Sequence, residues 1–333
     1  QFSDGLYSGE GTLYYSSGVK KYVGNFSEGK FNGFGTLYYL NGKVLYTGSF
    51  ANNMKNGTGK LYDREGNLIA SGLFEDDEFI GGSRKLYEDD GNLIYDGDLA
   101  EGLYEGKGKL YDPETGFVIY EGEFTDGRYS GKGKLYDPET GVLIYEGDFA
   151  DNQYSGKGKL YDPELKSLIY EGEFADGKYS GKGKLYDPLL GSLIYEGEFA
   201  DGRYSGKGKL YDPETGFLIY EGGFEDNLYS GEGKLYDLAT GNLIYDGGFA
   251  GGEYSGEGKL FDPETVNLIY VGEFYMGKYE GKGKLYDGNQ VLIYEGNFHM
   301  GHYEQKVHEE EPAASDKDEP REEPQDEPQE ESQ

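Results

Sequence analysis

The residues that first suggest chemistry lie in the segment Gly127-Arg128-Tyr129-Ser130-Gly131-Lys132-Gly133. A glycine-rich run ending in Gly-Lys can cradle phosphates, with backbone N–H groups around the anion and an ammonium group reaching over it. Here the spacing fails. Three residues separate Gly127 from Gly131 where four are required, and Gly133 stands where a metal-binding Ser or Thr should follow the lysine. No helix pattern follows, and no Gly-x-Gly-x-x-Gly fingerprint occurs, so Lys132 reads as a strand lysine.

Asp137-Pro138-Glu139-Thr140 brings two carboxylates together, and near-copies of it recur along the chain. Asp followed by Pro, with Gly at the end, is turn chemistry. A calcium site wants six to eight oxygens from a dedicated loop, which this is not, so only weak calcium binding is left open. His299, His302 and His308 cluster beside Glu309, Glu310 and Glu311. On one strand, His299 and His302 would point to opposite faces, which argues against shared ligation. The chain has no cysteine and no histidine before His299. Every serine or carboxylate candidate recurs in most copies, whereas an active site needs a unique convergence of groups. No catalytic, cofactor-binding or metal-binding residue is assigned, no cofactor is expected, and the chain reads as a non-enzyme.

The segment that must position these groups is Tyr120 to Ile144, YEGEFTDGRYSGKGKLYDPETGVLI. It returns from Tyr145, Tyr170, Tyr195, Tyr220, Tyr245 and Tyr270, with worn or shorter copies from Tyr22, Tyr46, Ala70, Tyr95 and Tyr294. A fixed period of this length marks a repeat architecture. Within the unit, Val118 to Phe124 and Tyr129 to Tyr136 alternate with period two and are bounded by Asp-Gly and Asp-Pro-Glu-Thr-Gly, so each repeat reads as a β-hairpin. The 24-residue copies shorten the loop between hairpins, at Tyr38 to Gly42 and Tyr286 to Gln290, and leave the hairpin itself unchanged. The expected class is all-β: tandem hairpins stacked into an elongated, twisted, single-layer antiparallel sheet. About two dozen strands at ~4.8 Å each would span roughly 110 Å.

If Thr125 to Arg128 close the hairpin, Phe124 faces Tyr129, Gly122 faces Gly131, Tyr120 faces Gly133 and Val118 faces Leu135, all on one side. Ile119, Glu121 and Glu123, opposite Lys134, Lys132 and Ser130, then share the other. Continuing the pairing puts Gly133 opposite Tyr145 and Lys132 opposite Glu146, with two tyrosine rings leaning over each inner glycine and two glutamates flanking each Lys132-type lysine. A bare glycine lets a ring lie over the neighbouring backbone, which offsets the weakness of glycine in a strand. The structural glycines are Gly122, Gly131, Gly133, Gly147, Gly156 and Gly158. The aromatic stripe serves partly as packing. Its members Tyr120, Phe124, Tyr129, Tyr145, Phe149, Tyr154, Tyr170, Phe174, Tyr179, Tyr195, Phe199 and Tyr204 are also the candidate interaction face, because exposed aromatic surface marks contact sites.

Three regions follow. Residues 1–94 hold degenerate copies beginning in mid-repeat, so the chain reads as a fragment or processed product, with cytoplasmic, membrane-anchored and secreted locations all open. Residues 95–303 hold near-uniform repeats. Residues 304–333 carry 13 Asp/Glu against 3 Lys/Arg, with four prolines and no aromatic residue. Such a tail cannot bury enough apolar surface to order itself and is expected to be disordered. The formal net charge of −33 excludes an unaided nucleic-acid binder, which needs a positive surface. It also disfavours an anionic membrane.

The pattern Tyr-Glu-Gly-Glu-Phe-x-Asp-Gly-x-x-x-Gly-x-Gly-x-Leu-Tyr, carried by Tyr120, Gly122, Phe124, Gly127, Gly131, Gly133 and Tyr136, resembles the MORN (membrane occupation and recognition nexus) repeat. The resemblance covers about 300 residues and implies stacked hairpins in an elongated sheet. The repeat here is longer than is usual in the family, through its Asp-Pro-Glu-Thr-Gly loop, and Phe replaces a frequent Trp. The resemblance implies a scaffold for protein partners. The alternative it implies is a membrane- or lipid-surface accessory to an upstream domain or anchor, since some family members lie beside lipid kinase, methyltransferase or junctional-membrane domains. The near-identical tandem copies are similar to bacterial members.

Overall fold

The computed structural model describes residues 2–303; the expectation for the acidic tail lies outside them. A short hairpin, Phe2–Ser3 with Leu6–Tyr7, precedes a ladder that runs from Gly9–Tyr14 to Leu292–Phe298. Each strand of the ladder pairs antiparallel with its sequence neighbours. Among the described residues no pairing joins the first strand of the ladder to the last, so the sheet is an open ribbon one layer thick.

One repeat shows why the sequence folds this way. Strands Val118–Thr125 and Arg128–Tyr136 are joined by Asp126 and Gly127, both with positive φ (50° and 78°). Two residues in that conformation make the mirror-image turn whose twist matches paired strands, and Asp-Gly is a preferred sequence for it. The longer loop at the opposite edge is held by Asp137, whose Oδ1 accepts hydrogen bonds from the backbone and hydroxyl of Thr140 (2.8 and 2.7 Å). At 39–43 and 287–291 this loop is one residue shorter, while the two-residue hairpin turn persists.

The pairing within the hairpin differs from that expected. Phe124 faces Tyr129 and Thr125 faces Arg128, but Gly122 faces Gly133, not Gly131, and Tyr120 faces Leu135, not Gly133. A two-residue bulge at Gly131-Lys132 produces the slip, and Gly131 supplies the left-handed backbone it needs (φ 52°). Across the next interface Gly133 faces Gly147, not Tyr145, and Lys132 faces Asp148, not Glu146. The lysine flanked by two glutamates is therefore Lys134, between Glu121 and Glu146. An insertion of two residues preserves side-chain parity, so Tyr120 to Phe124, Tyr129 and Lys132 to Leu135 keep their expected faces although the partners shift. A second slip, of one residue, sets Val118 opposite Tyr111, not Leu135, and turns the Ile119 position to the aromatic face, where Ile169, Ile194 and Ile219 of the following repeats pack against the buried rings.

Successive hairpins are also stitched at their turns. The Gly127 N–H donates to the Tyr104 carbonyl (2.9 Å), and the same bond recurs from Gly177 to Tyr154 and from Gly202 to Tyr179. One repeat breaks the rule of a tyrosine over glycine. Ala70 takes the tyrosine position and faces Arg84, which on its other side faces Gly97. The Arg84 guanidinium lies 5.6 Å from the centre of the Phe79 ring. Two aromatic clusters, Tyr22 to Phe74 and Tyr95 to Phe298, meet at Phe79 across this joint.

Candidate interaction surfaces

On the aromatic face, the Tyr120 ring lies over Gly122 and Gly133, and a Cβ on Gly133 would overlap it. Only one ring leans over each such glycine, because Tyr145 covers Gly147 and Gly158 instead. Tyr129 stacks on the outer side of Tyr120 (3.8 Å between centroids, 9° between planes), and Phe124 and Phe149 meet it edge-on at 5.0 and 5.1 Å. Offset stacking and edge-to-face contact are the favoured aromatic geometries, worth about 0.5–1.5 kcal/mol per pair beyond burial. A single layer of strands thereby acquires a core two rings deep.

The Tyr120 hydroxyl is not left bare. It donates to the carbonyl of Glu123 (2.9 Å), with the Ser130 carbonyl 3.3 Å away as a second acceptor sharing the same proton, at the edge of the bulge. Burial raises the phenol pKa of Tyr120, Tyr145, Tyr170 and Tyr195, and that of Tyr220 to about 12.

This arrangement divides the residues of the expected interaction stripe. Tyr120, Tyr145, Tyr170 and Tyr195 are 0 % exposed, and Phe124, Phe149, Phe174 and Phe199 are also buried. Tyr129, Tyr154, Tyr179 and Tyr204 are half-buried and form the outer surface of the stripe. Of the glycines, Gly122, Gly133, Gly147 and Gly158 lie beneath rings, while Gly131 and Gly156 take left-handed backbone at the bulges.

The opposite face carries charge in register. Lys134 pairs with Glu146 at 3.1 Å, Lys159 with Glu171 at 3.2 Å and Lys184 with Glu196 at 3.1 Å, all partly exposed. The carboxylate beside each of these lysines holds its ammonium above the usual value. Lys132 pairs with Asp148 at 2.9 Å. Between these rows lie shallow troughs of about 710 and 630 Å³, the larger lined by Lys182, Lys184, Glu196, Glu198 and Tyr186. The tyrosine that ends each second strand (Tyr161, Tyr186, Tyr211) lines these troughs. Sequence reasoning missed it; the signal was its odd-even offset from Leu135-type residues, which places it with the lysines. Further along, the pattern breaks: Lys207 faces Gly223, Glu232 faces Gly248 and Glu257 faces Glu273.

His299 and His302 do not alternate along one strand. The strand ends at Phe298, the chain turns at Met300-Gly301, and the two histidines face each other across that turn. His299 Nδ1 lies 3.0 Å from Glu280 Oε1, and the Met300 N–H donates to Glu280 Oε2 (2.9 Å). These bonds lower the Glu280 carboxyl pKa, the Met300 N–H more than the imidazole. Among the described residues no group of three or more His, Asp or Glu side chains is placed to hold a metal ion; His308 lies outside them.

Comparison with curated proteins gives no match. Among solved structures the chain is similar to one titled "Crystal Structure of TcdB2-TccC3-Cdc42" (15% identity, 85% of this chain and 15% of that one, TM-score 0.21). It is also similar to "Crystal Structure of TcdB2-TccC3-TEV" (13% identity, 85% of this chain and 17% of that one, TM-score 0.19). The chain thus spans less than a fifth of those chains, and scores of this size carry no argument. The MORN repeat family matches at residues 1–20, 22–44, 46–68, 95–114, 120–141, 145–164, 170–188, 195–214, 220–237, 245–263 and 270–290. These segments cover most of the ladder, and each contains the glycine-rich second strand of a hairpin over which the aromatic face is built. The chain belongs to the MORN repeat family.

Proposed function

We propose that the protein is a non-enzymatic repeat scaffold that engages protein partners along its ribbon. The observation that carries this reading is recurrence. The trough around Tyr161 has Lys157, Lys159, Glu171 and Glu173, and the trough around Tyr186 has Lys182, Lys184, Glu196 and Glu198. Catalysis uses one convergent set of groups in one place; a surface that offers the same groups at successive steps suits an extended partner or several copies of one. The half-buried outer tyrosines Tyr129, Tyr154, Tyr179 and Tyr204 offer amphipathic contact area on the other face. The net charge of −33 favours a protein partner over an anionic lipid surface. Assay of the full chain against hydrolase, transferase and kinase substrate panels tests the reading. No turnover is expected; turnover abolished by one point substitution would overturn it.

A further inference from the structure

The long-loop edge of the ribbon contains a departure, spread over two adjacent loops, that the fold does not require. In most near-uniform repeats the fourth residue of this loop is threonine, whose hydroxyl donates to the loop aspartate: Thr140 to Asp137, Thr215 to Asp212 and Thr265 to Asp262, each at 2.7 Å. In two adjacent loops that position is Leu165 and Leu190, and Leu189 replaces the glutamate before it. The backbone bonds survive: the Leu165 N–H donates to Asp162 Oδ1 (2.7 Å) and the Leu190 N–H to Asp187 Oδ1 (2.8 Å). The loop conformation is therefore the same, the hydroxyl bond is given up, and three leucines stand 50, 77 and 54 % exposed at 165, 189 and 190.

These loops are fixed in place. Ser167 Oγ donates to the Pro188 carbonyl (2.6 Å), tying the first leucine loop to the second, and Ser192 Oγ donates to the Pro213 carbonyl (2.5 Å), tying the second to the next. A contact presented by loops already held in position loses little freedom on binding. Asp162, Glu164 and Asp187 belong to the leucine loops themselves and Asp212 and Glu214 to the loop tied to the second, with Lys166 the one cation in these three loops.

We propose that Leu165, Leu189 and Leu190 form a preformed apolar knob that seats in the hydrophobic cleft of a protein partner whose rim carries lysine or arginine. This deepens, and rests on, the scaffold reading. Charge complementarity selects the partner: an apolar centre with an acidic border is matched by an apolar cleft with a basic one. A second copy of this chain, at the same net charge, would be repelled.

Calorimetric titration of the full chain with a synthetic peptide of alternating leucine and lysine tests the assignment. The comparison is L165T/L189E/L190T, which restores the side chains of the neighbouring loops. The variant is more acidic, so charge alone would tighten binding; the knob instead requires binding roughly tenfold weaker. Equal or tighter binding by the variant, or no binding by the unaltered chain, overturns it. So does co-sedimentation of the unaltered chain with phosphatidylcholine vesicles that the variant loses, since the leucines would then be a lipid wedge. L189E alone, at the most exposed position, gives the same comparison should the triple variant fail to fold. Failure here leaves the scaffold reading standing, whereas the turnover that would sink that reading appears in an assay these variants do not touch.

Discussion

The hydroxyl of Tyr145 donates a 3.0 Å hydrogen bond to the carbonyl of Asp148, three residues along its own strand. The ladder slips by two residues between Gly147 and Asp148, and the tyrosine completes the bonding there. The same contact recurs at Tyr170 with Glu173 and at Tyr195 with Glu198, each at 3.0 Å. The residue is therefore tyrosine and not phenylalanine for a reason that lies in the backbone.

Tyr145→Phe removes that donor from a residue 0 % exposed while keeping the ring. Leaving a buried acceptor without its partner costs about 1–3 kcal/mol. Urea denaturation followed by circular dichroism should show the loss, and an unchanged midpoint would mean that the hydroxyl bond is incidental.

The hairpin turns differ in one useful way. Where the second turn residue is asparagine, its side chain accepts from the preceding repeat: Asn152 Oδ1 from the Tyr129 N–H and Asn227 Oδ1 from the Tyr204 N–H, both at 2.8 Å. Gly177 and Gly202 hold the same left-handed backbone without that acceptor. Asn tolerates this conformation, so Gly177→Asn should raise stability by about 0.5–1.5 kcal/mol and Asn152→Gly should lower it by a similar amount. Thermal midpoints moving in the same direction for both changes would contradict the assignment.

How much of this was legible beforehand can be judged from Lys132 and Lys134. Alternation alone placed both on the charged face with Glu121 and Glu146, and they are there. It could not show which lysine meets which glutamate, because a two-residue bulge leaves the odd-even pattern untouched. The sign of the bulge was Gly131 beside Gly133: one glycine makes room for a ring, and the other takes a backbone conformation that only local geometry demands. Burial was legible only in part. Tyr120 and Tyr129 have the same type and face, yet one is the floor of a stack and the other its surface, and stacking order is not written in the spacing. Arg84 on the aromatic face was visible as a worn copy, but its fit beside Ala70 needed the pairing to be known.

Val266 holds φ 61° in a long loop where other repeats place glycine (Gly141, φ 71°). A β-branched residue in the left-handed region is strained by about 1–2 kcal/mol. Val266→Gly should therefore stabilise the chain by about 1 kcal/mol, less than the full strain because glycine is freer when unfolded. A lower thermal midpoint would show that the exposed valine contributes more than its strain costs.

The buried phenols set a limit at high pH. Burial pushes Tyr22, Tyr46, Tyr220 and Tyr270 up to about 12 from an ordinary 10.0. Below pH 10 both folded and unfolded chains keep these protons and the contribution is full. As pH rises from 10 through 12 the unfolded chain releases them first, so stability falls. Alkaline titration should show late tyrosinate absorbance appearing together with loss of circular dichroism. Ionisation of every tyrosine near pH 10 in a chain that stays folded would contradict the buried row.

The most direct test of a core built from rings over bare backbone compares two neighbouring substitutions in the full chain. Valine suits strand geometry in general, but at Gly133 its side chain would overlap the Tyr120 ring, and overpacking costs ~1–3 kcal/mol. Lys132 is exposed and paired with Asp148, and an exposed pair contributes only ~0–1 kcal/mol. Urea denaturation of Gly133→Val and Lys132→Val should place the first well below the second in stability. If Lys132→Val proves the more damaging, the rings do not rest on the glycines and the faces of the ribbon are assigned the wrong way round.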